Sequence, residues 1–412
     1  MNWKNCLARQ RKEDKYDDKF GFVGMMEMKL NEICEVYSGY ALKKFNDGED
    51  GIPVIKIGNI RIDGTLNLET CQYTTEGVDK KYYSNRGDVY IALSGATTGK
   101  VGIMDTDDLY VINQRVGIIR QKTDDIPQEY IKNFLLRQTD RILKEATGCA
   151  QPNISPKQIA EYIVPDISKE KMYEICVIFN KIKKIINDRN AEISALDNLI
   201  KARFVEMFGD PVINSYDLKT KPMTEVCDII DGDRGKNYPT ADDFSDEGYC
   251  LFLNAKNVTA SGFSFETCMF VTKEKDEVLR KGKLSRGDVV LTTRGTLGNL
   301  AFYTDDVPFE HVRINSGMVI LRMKQDVINE VFFIEQFKMQ LADIKEKNAS
   351  GSAQPQLPIS TMNKIRILIP SIEKQRRFAD FVHQVDKSKV AIQKSLAEIQ
   401  LLFDSLMQKY FG

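Results

Sequence analysis

The chain states one pattern twice, and this limits its fold more than any other feature. Ser84–Asp105 reads SNRGDVYIALSGATTGKVGIMD, and Leu284–Asp305 reads LSRGDVVLTTRGTLGNLAFYTD. The match continues with Ile112-Asn113 against Ile314-Asn315 and with Ala150-Gln151-Pro152 against Ala353-Gln354-Pro355. It closes with Phe208-Gly209 against Phe411-Gly412, always at a spacing of about 200 residues. Shared landmarks with diverged residues between them predict two modules of one fold that hold different ligands.

Each module has the texture of an α+β domain. Short β-branched runs lie between Gly, Asn and Asp turns: Ile52–Ile57, Val89–Leu93 and Val116–Ile119 first, then Tyr249–Leu253, Val289–Thr292 and Met318–Leu321. Each also holds a helical stretch, near Gln128–Lys144 and near Glu330–Lys347. The expected organisation is an N-terminal arm over residues 1–24, two similar domains over 25–165 and 211–370, and helical spacers over 166–210 and 371–412. The arm is charged and aperiodic, and Met25, Met26 or Met28 could be the natural start.

The spacers show a second periodicity. One apolar series runs through Ile175, Phe179, Ile182, Ile186, Arg189, Ile193, Leu196, Ile200, Arg203 and Met207. The other runs through Phe378, Val382, Val385, Lys389, Ile392, Leu396, Ile399, Phe403, Leu406 and Tyr410. Both alternate steps of four and three, the seam of a coiled coil. They keep the same phase, and polar members align with apolar ones: Arg189 with Ile392, Arg203 with Leu406, Lys389 with Ile186. That alternation favours pairing of two different helices over self-pairing. The alternative is two separate amphipathic helices, each covering its own domain. If the helices pair antiparallel, about 38 residues at roughly 1.5 Å each make a rod of about 55 Å.

Catalytic signatures are missing from the sequence. Ser94–Lys100 (SGATTGK) is too short between its glycines for a phosphate loop, and Val101 stands where Ser or Thr is needed. The second copy, Arg294–Asn299, has no lysine. There is no GxGxxG opening a helix, no HExxH, no GxSxG, no Asn- or Asp-Pro-Pro-aromatic tetrapeptide, and no ExK at a usable distance from Pro165-Asp166. The two histidines, His311 and His383, read as a loop or strand residue and a helix-surface residue. Eight scattered cysteines without a CxxC pair read as reduced thiols of a cytoplasmic protein. No apolar run reaches the length of a membrane span. The net charge of −1 gives no global basic field, so any DNA contact must come from local patches.

A binding reading remains. Strand, Gly-Asp turn, strand and Gly/Thr loop place backbone N–H groups and hydroxyls at a surface, suited to phosphate oxygens or base edges. In the first copy the candidates are Thr97, Thr98 and Lys100, in the second Arg294 and Thr296. The other candidates are Lys56 and Asn59, Asn254, Lys256 and Asn257, Asn113 and Arg115, and Arg313 and Asn315. Gln151 with Asn153 and Gln354 with Gln356 complete the set. Asn, Gln, Arg and Lys read adenine and guanine in the major groove. The plain alternative is a set of turns and strand edges, in which the glycines serve positive φ.

These residues bring the chain to a known family. It resembles the specificity subunit of type I restriction-modification enzymes. The resemblance lies in RGDVYIALSGATTGKVG and RGDVVLTTRGTLGNLA, in INQRVGIIR and INSGMVILR, and in CAQPNISPKQIAEYIVPDI and SAQPQLPISTMNKIRILIPSIEKQRRFADF. ARFVEMFGDP and SLMQKYFG look like the ends of that family's helical regions. The match covers residues from about 25 to 412, and the arm has no place in the pattern. The resemblance implies two target-recognition domains, each reading half of a split asymmetric site in double-stranded DNA. It implies an antiparallel coiled coil that fixes the gap, and no catalytic residues in this chain. S-adenosylmethionine, ATP and Mg would be used by partners, two modification (methyltransferase) subunits and a restriction subunit.

Overall fold

The computed structural model describes residues 26–48, 50–146, 152–348 and 356–412. They form two compact units. One runs to Asp188 and includes Leu396–Gly412, and the other is Arg189–Ser395. Both divisions fall inside a long helix, Lys169–Phe208 or Ile372–Phe411. Residues 165 and 370 lie within or just beyond the strands Ile163–Asp166 and Arg366–Leu368. Each compact unit therefore extends past the expected domain end and includes helix.

The first unit is built on a four-stranded antiparallel sheet in the order Cys34–Ser38, Val116–Gln121, Val89–Ala92, Val101–Ile103. A second sheet holds Gln72–Thr74, Ile52–Ile55 and Val111–Ile112, with its last pair parallel. Side chains alternate faces along a strand. Val89 and Ile91 thus pack with Tyr130, Ile131 and Phe134 of the helix Gln128–Arg137. Tyr90 and Ala92 pack with Ile55 and Ile112 of the second sheet. A strand covered on both sides reads as an unbroken apolar run.

The second unit repeats the topology. Its large sheet runs Cys227–Asp231, Met318–Met323, Val289–Thr292, Leu300–Phe302. Its small sheet runs Phe270–Val271, Cys250–Leu253, Val312–Ile314, again with the last pair parallel. A hairpin, Val258–Thr259 with Gly262–Phe263, is added. The helix Glu330–Asn348 matches the expected stretch. Its counterpart in the first unit breaks into Gln128–Arg137 and Thr139–Glu145. There the Thr139 hydroxyl donates to the Leu136 carbonyl at 2.8 Å, competing with the helical ladder.

The doubled Gly-Asp turn is a structural lock. Asp88 is buried and accepts from Asn85 N at 2.8 Å and from Arg120 Nη2 and Nε at 2.6 and 2.8 Å. Asp288 repeats this with Ser285 N at 2.7 Å and with Arg322 Nη2 and Nε, both at 2.8 Å. Each lock ties the turn to the neighbouring strand.

Within each unit the long helices pair antiparallel. In the first, Phe179 meets Phe403, Tyr410 and Phe411 with ring centroids 5.3, 6.4 and 5.9 Å apart. In the second, Phe204 and Phe208 meet Phe378 at 5.4 and 5.7 Å. Ile175, Phe179, Ile182, Ile200, Phe378, Val382 and Val385 are buried, while Ile186, Ile193, Leu196, Ile392, Leu396, Ile399 and Phe403 are half-buried. The helices also cover their own domains, because Ile175 and Phe179 share one core with Val89 and Phe134. The two arrangements weighed from sequence therefore coexist.

The polar seam residues are engaged with neighbours inside the second unit. Lys389 reaches Asp197 at 2.5 Å and Asp386 at 3.3 Å. Arg203 pairs with Glu206 at 2.7 Å and lies 5.9 Å from the Phe381 ring, and Arg189 pairs with Glu192 at 2.6 Å. Antiparallel packing matches residues by summed position rather than by repeat position.

Removing one member of a buried pair strands the other charge. Asp88→Ala is expected to destabilise the first unit by about 3 kcal/mol. The urea midpoint measures this, and in a cycle with Arg120→Ala the double variant should lose much less than the sum of the singles.

Candidate nucleic-acid interface

Strand direction gathers the candidate loops of each unit. In the first unit, Cys34–Ser38 and Val89–Ala92 both run antiparallel to Val116–Gln121, so they run the same way as each other. Ile52–Ile55 runs parallel to Val111–Ile112, and Tyr40 continues parallel to Asn113. The loops that leave these four strands share one edge. Backbone bonds stitch them together: Tyr40 N to Ile112 O at 2.8 Å, Asn113 N to Ile55 O at 3.0 Å, and Leu93 N to Arg115 O at 2.9 Å. The second unit repeats the last two of these stitches, with Asn315 N to Leu253 O at 3.2 Å and Thr293 N to Gly317 O at 2.9 Å. Close approach demands glycine in both. A Cβ on Gly39 would lie 2.3 Å from Ile112 O, and one on Gly232 would lie 2.2 Å from Asn315 O.

The edge of the first unit exposes Arg115 and Asn153 and half-exposes Lys56, Lys100 and Asn113. Thr97 is half-buried with its hydroxyl oxygen turned away from solvent, which corrects the DNA contact expected of it. Leu93, Ser94, Gln114, Arg115 and Asn153 line a groove there. Lys100 has neither an ion pair nor a side-chain hydrogen bond among the described residues. Asn113 Oδ1 accepts from Arg115 N at 3.3 Å. In the second unit Lys256, Arg294, Thr296 and Gln356 are exposed, and Asn254 and Asn315 are half-exposed. Asn315 repeats the Asn113 turn by accepting from Gly317 N at 2.9 Å. Gln151 and Gln354 lie outside the described residues.

Four further candidates face inward, and for them too the structure corrects the DNA-contact expectation. Asn59 is buried: its Oδ1 accepts from Lys56 N at 2.8 Å and its Nδ2 donates to Asn67 O at 2.9 Å. Asn257 does the same, accepting from Asn254 N at 3.0 Å and donating to Ser264 O at 3.0 Å and Thr267 O at 2.8 Å. Both pin a tight turn. This register also sets Lys56 opposite Asn254, not opposite Leu253. Thr98 is buried, donating to Gly95 O at 2.7 Å and Pro152 O at 3.1 Å. Arg313 is buried against the Asp276 carboxylate, and it donates to Lys281 O at 2.7 Å and Leu279 O at 3.0 Å.

Asn299, the counterpart of Lys100, is also engaged, donating to Val258 O at 2.9 Å. The histidines lie away from this edge. His311 stacks on Tyr249 at 4.2 Å just before its strand, and His383 is exposed on a long helix. The sequence reading overlooked the loops that follow Gly39 and Gly232, which expose Lys43 and Lys44 in one unit and Arg234 and Lys236 in the other. The glycines themselves were the available signal. Among the described residues, no group of three or more His, Cys, Asp or Glu could hold a metal ion. No described helix is long and apolar enough to cross a membrane.

This doubled architecture is matched in known proteins. The model of the type I restriction modification DNA specificity domain fits residues 23–195 and again 216–401. The chain belongs to that family. It is similar to the type I restriction enzyme MjaVIII specificity subunit of Methanocaldococcus jannaschii, 20% identical over 83% of this chain and 85% of that one. It is similar also to the EcoBI specificity subunit of Escherichia coli, 18% identical over 94% of this chain and 85% of that one. In fold it matches the crystal structure of the type I S subunit from M. genitalium, with a TM-score of 0.55 and 16% identity over 97% and 98% of the two chains.

Burial separates the two arginines that the sequence treated alike. Arg313→Ala is expected to destabilise the second unit by about 3 kcal/mol, whereas Arg115→Ala should change stability by no more than about 0.5 kcal/mol. Urea unfolding of the two variants makes the comparison. Burial pushes the Asp276 carboxyl up, but hydrogen bonds from Lys283 and Arg313 outweigh it and hold the group below its ordinary range. Its contribution is therefore full at neutral pH and is lost as the pH falls below about 4. Urea midpoints between pH 7 and pH 3 should show less of this acid loss in Arg313→Ala.

Proposed function

We propose that the two loop edges read the two halves of a split, asymmetric site in double-stranded DNA, and that the paired helices set the gap between the halves. One observation carries this reading: the same edge is built twice, with two shared backbone stitches and different outward side chains. Shared Asn59 and Asn257, Asp88 and Asp288, and Gly39 and Gly232 hold the edges. Divergent residues such as Lys56, Lys100, Arg115, Arg294 and Lys256 are free to meet DNA. Asn113, Asn153, Asn254, Thr296, Asn315 and Gln356 join them as polar contacts, and Gln151 and Gln354 extend the set by their place in the sequence. Arginine and lysine there would contact phosphates and guanine edges, and the amides would contact adenine.

The chain is a specificity subunit, and in our reading it performs no chemistry. Methyl transfer from S-adenosylmethionine and ATP- and Mg-dependent cleavage fall to the modification and restriction subunits of the complex. The helix pair suits partner docking, because Tyr173, Val177, Ile185 and Leu401 leave large apolar side chains exposed on its outer surface in the first unit. A near-neutral chain can bind DNA where its partners share the phosphate contacts.

Exchange of residues 25–165 for another recognition domain should change one half of the methylated sequence and leave the other intact, as read by methylome sequencing of a host carrying the complex. Changes in both halves, or in neither, count against modular reading. One heptad inserted near Ala195 alone should lower stability, since the seam loses register. Matched insertions in both helices should lengthen the gap, and an unchanged motif would refute the ruler.

A further inference from the structure

We propose that Lys56 reads a guanine edge in the half-site of the first unit, held in reading position by Phe45, Gln72 and Asp47. The inference rests on the DNA-reading function proposed above and adds the residue, the base and the means of positioning.

A lysine side chain is ordinarily a mobile tether, and holding it in one place costs rotamer entropy. At Lys56 much of that ordering is already present. Its ammonium lies 3.5 Å from the centroid of the Phe45 ring and donates to Gln72 Oε1. Gln72 is anchored in turn, its Nε2 donating to Asp47 Oδ1 at 2.5 Å. The Asn59 turn fixes the backbone, through Lys56 N to Asn59 Oδ1 at 2.8 Å. Burial lowers the lysine pKa against the attraction of the nearby Asp47 carboxylate, so the cation is partly desolvated. An ammonium has three donors. One goes to Gln72 and the ring faces another, which leaves at least one for an incoming acceptor. Lys56 follows the strand Ile52–Ile55 on the loop edge, one backbone bond from Asn113. Guanine offers O6 and N7 side by side in the major groove, and lysine is among its usual partners there.

The second unit lacks the device. Asn254 replaces Lys56 and turns its Oδ1 onto Lys256 N at 2.9 Å. Phe252 N bonds to Met269 O at 2.8 Å, so the register puts apolar Met269 where the first unit has Gln72.

The test uses the chain assembled with its modification subunits and a set of duplexes varied one position at a time. The domain exchange assigns the half-site. Lys56→Ala should reduce the preference for guanine about tenfold at one position of the first half-site. The other half-site and the salt dependence should stay unchanged, and Lys56→Arg should retain the preference. Gln72→Met, which imitates the second unit, should weaken the same position by a smaller factor while leaving thermal unfolding in place. It carries the test if Lys56→Ala fails to fold, and an unchanged preference in Gln72→Met would then overturn the proposal. Equal weakening on every sequence, with a salt slope shallower by about one phosphate, would make Lys56 a phosphate contact and overturn the proposal. Unaltered discrimination in Lys56→Ala would overturn it too. A wild-type complex that discriminates at no position of either half-site would instead defeat the underlying DNA-reading function.

Discussion

Ring packing where recognition fold meets helix pair is the interaction on which the rest of the structure depends. In the second unit Phe204, Phe208, Phe332 and Phe378 close on one another, with centroids from 4.9 to 6.3 Å apart. Phe204 and Phe208 come from one long helix, Phe378 from the other, and Phe332 from the domain. In the first unit Phe179, Phe403 and Phe411 do the same, with Tyr130 5.0 Å from Phe411. Each pair adds about 0.5–1.5 kcal/mol beyond its area burial. Sheet, domain helix and helix pair therefore share one core in each unit. The loop edge of each unit is thereby anchored to the helix pair.

The sheets then decide what the edge can present. Parallel departure of four strands brings four loops together, and backbone bonds among the loops fix their spacing without using side chains. This explains how two copies can keep one scaffold and diverge at the surface. The positions that cannot diverge are those where a side chain or a missing Cβ serves the backbone: the Asn59 and Asn257 turns, the Asp88 and Asp288 locks, and Gly39 and Gly232. Preorganised loops on a rigid frame also lose little entropy on binding.

Much of this was legible in the sequence. The repeat gave two units, the β-branched runs gave the central strands, and the heptads gave the helix seam. The seam was readable because a long amphipathic helix repeats its pattern about every seven residues over its whole length. The candidate site was less legible. Arg313 and Arg115 look alike as letters, but one lies in a strand against Asp276 and the other caps a turn in solvent. Only the fold distinguishes them. Asn59 and Asn257 recurred because the turn needs them, so recurrence marked scaffold where it had been read as contact. The loops after Gly39 and Gly232 were missed because their neighbours have diverged, and a lone shared glycine is a weak signal until the carbonyl it approaches is known.

Divergence between the copies also bears on the symmetry of the sequence read. At two equivalent places on the edge, the first unit offers an ammonium and the second an amide with one end already bonded: Lys56 against Asn254, and Lys100 against Asn299. At a third, Arg115 stands where the second unit has Gly317, and Arg294 reverses the balance against Ser94. Donors at the two edges therefore differ in kind and in position. Base edges are told apart by the pattern of donors and acceptors they meet, so in the proposed reading the two edges would favour different half-sites. In our reading, an asymmetric split target follows from the side chains that the shared scaffold leaves free.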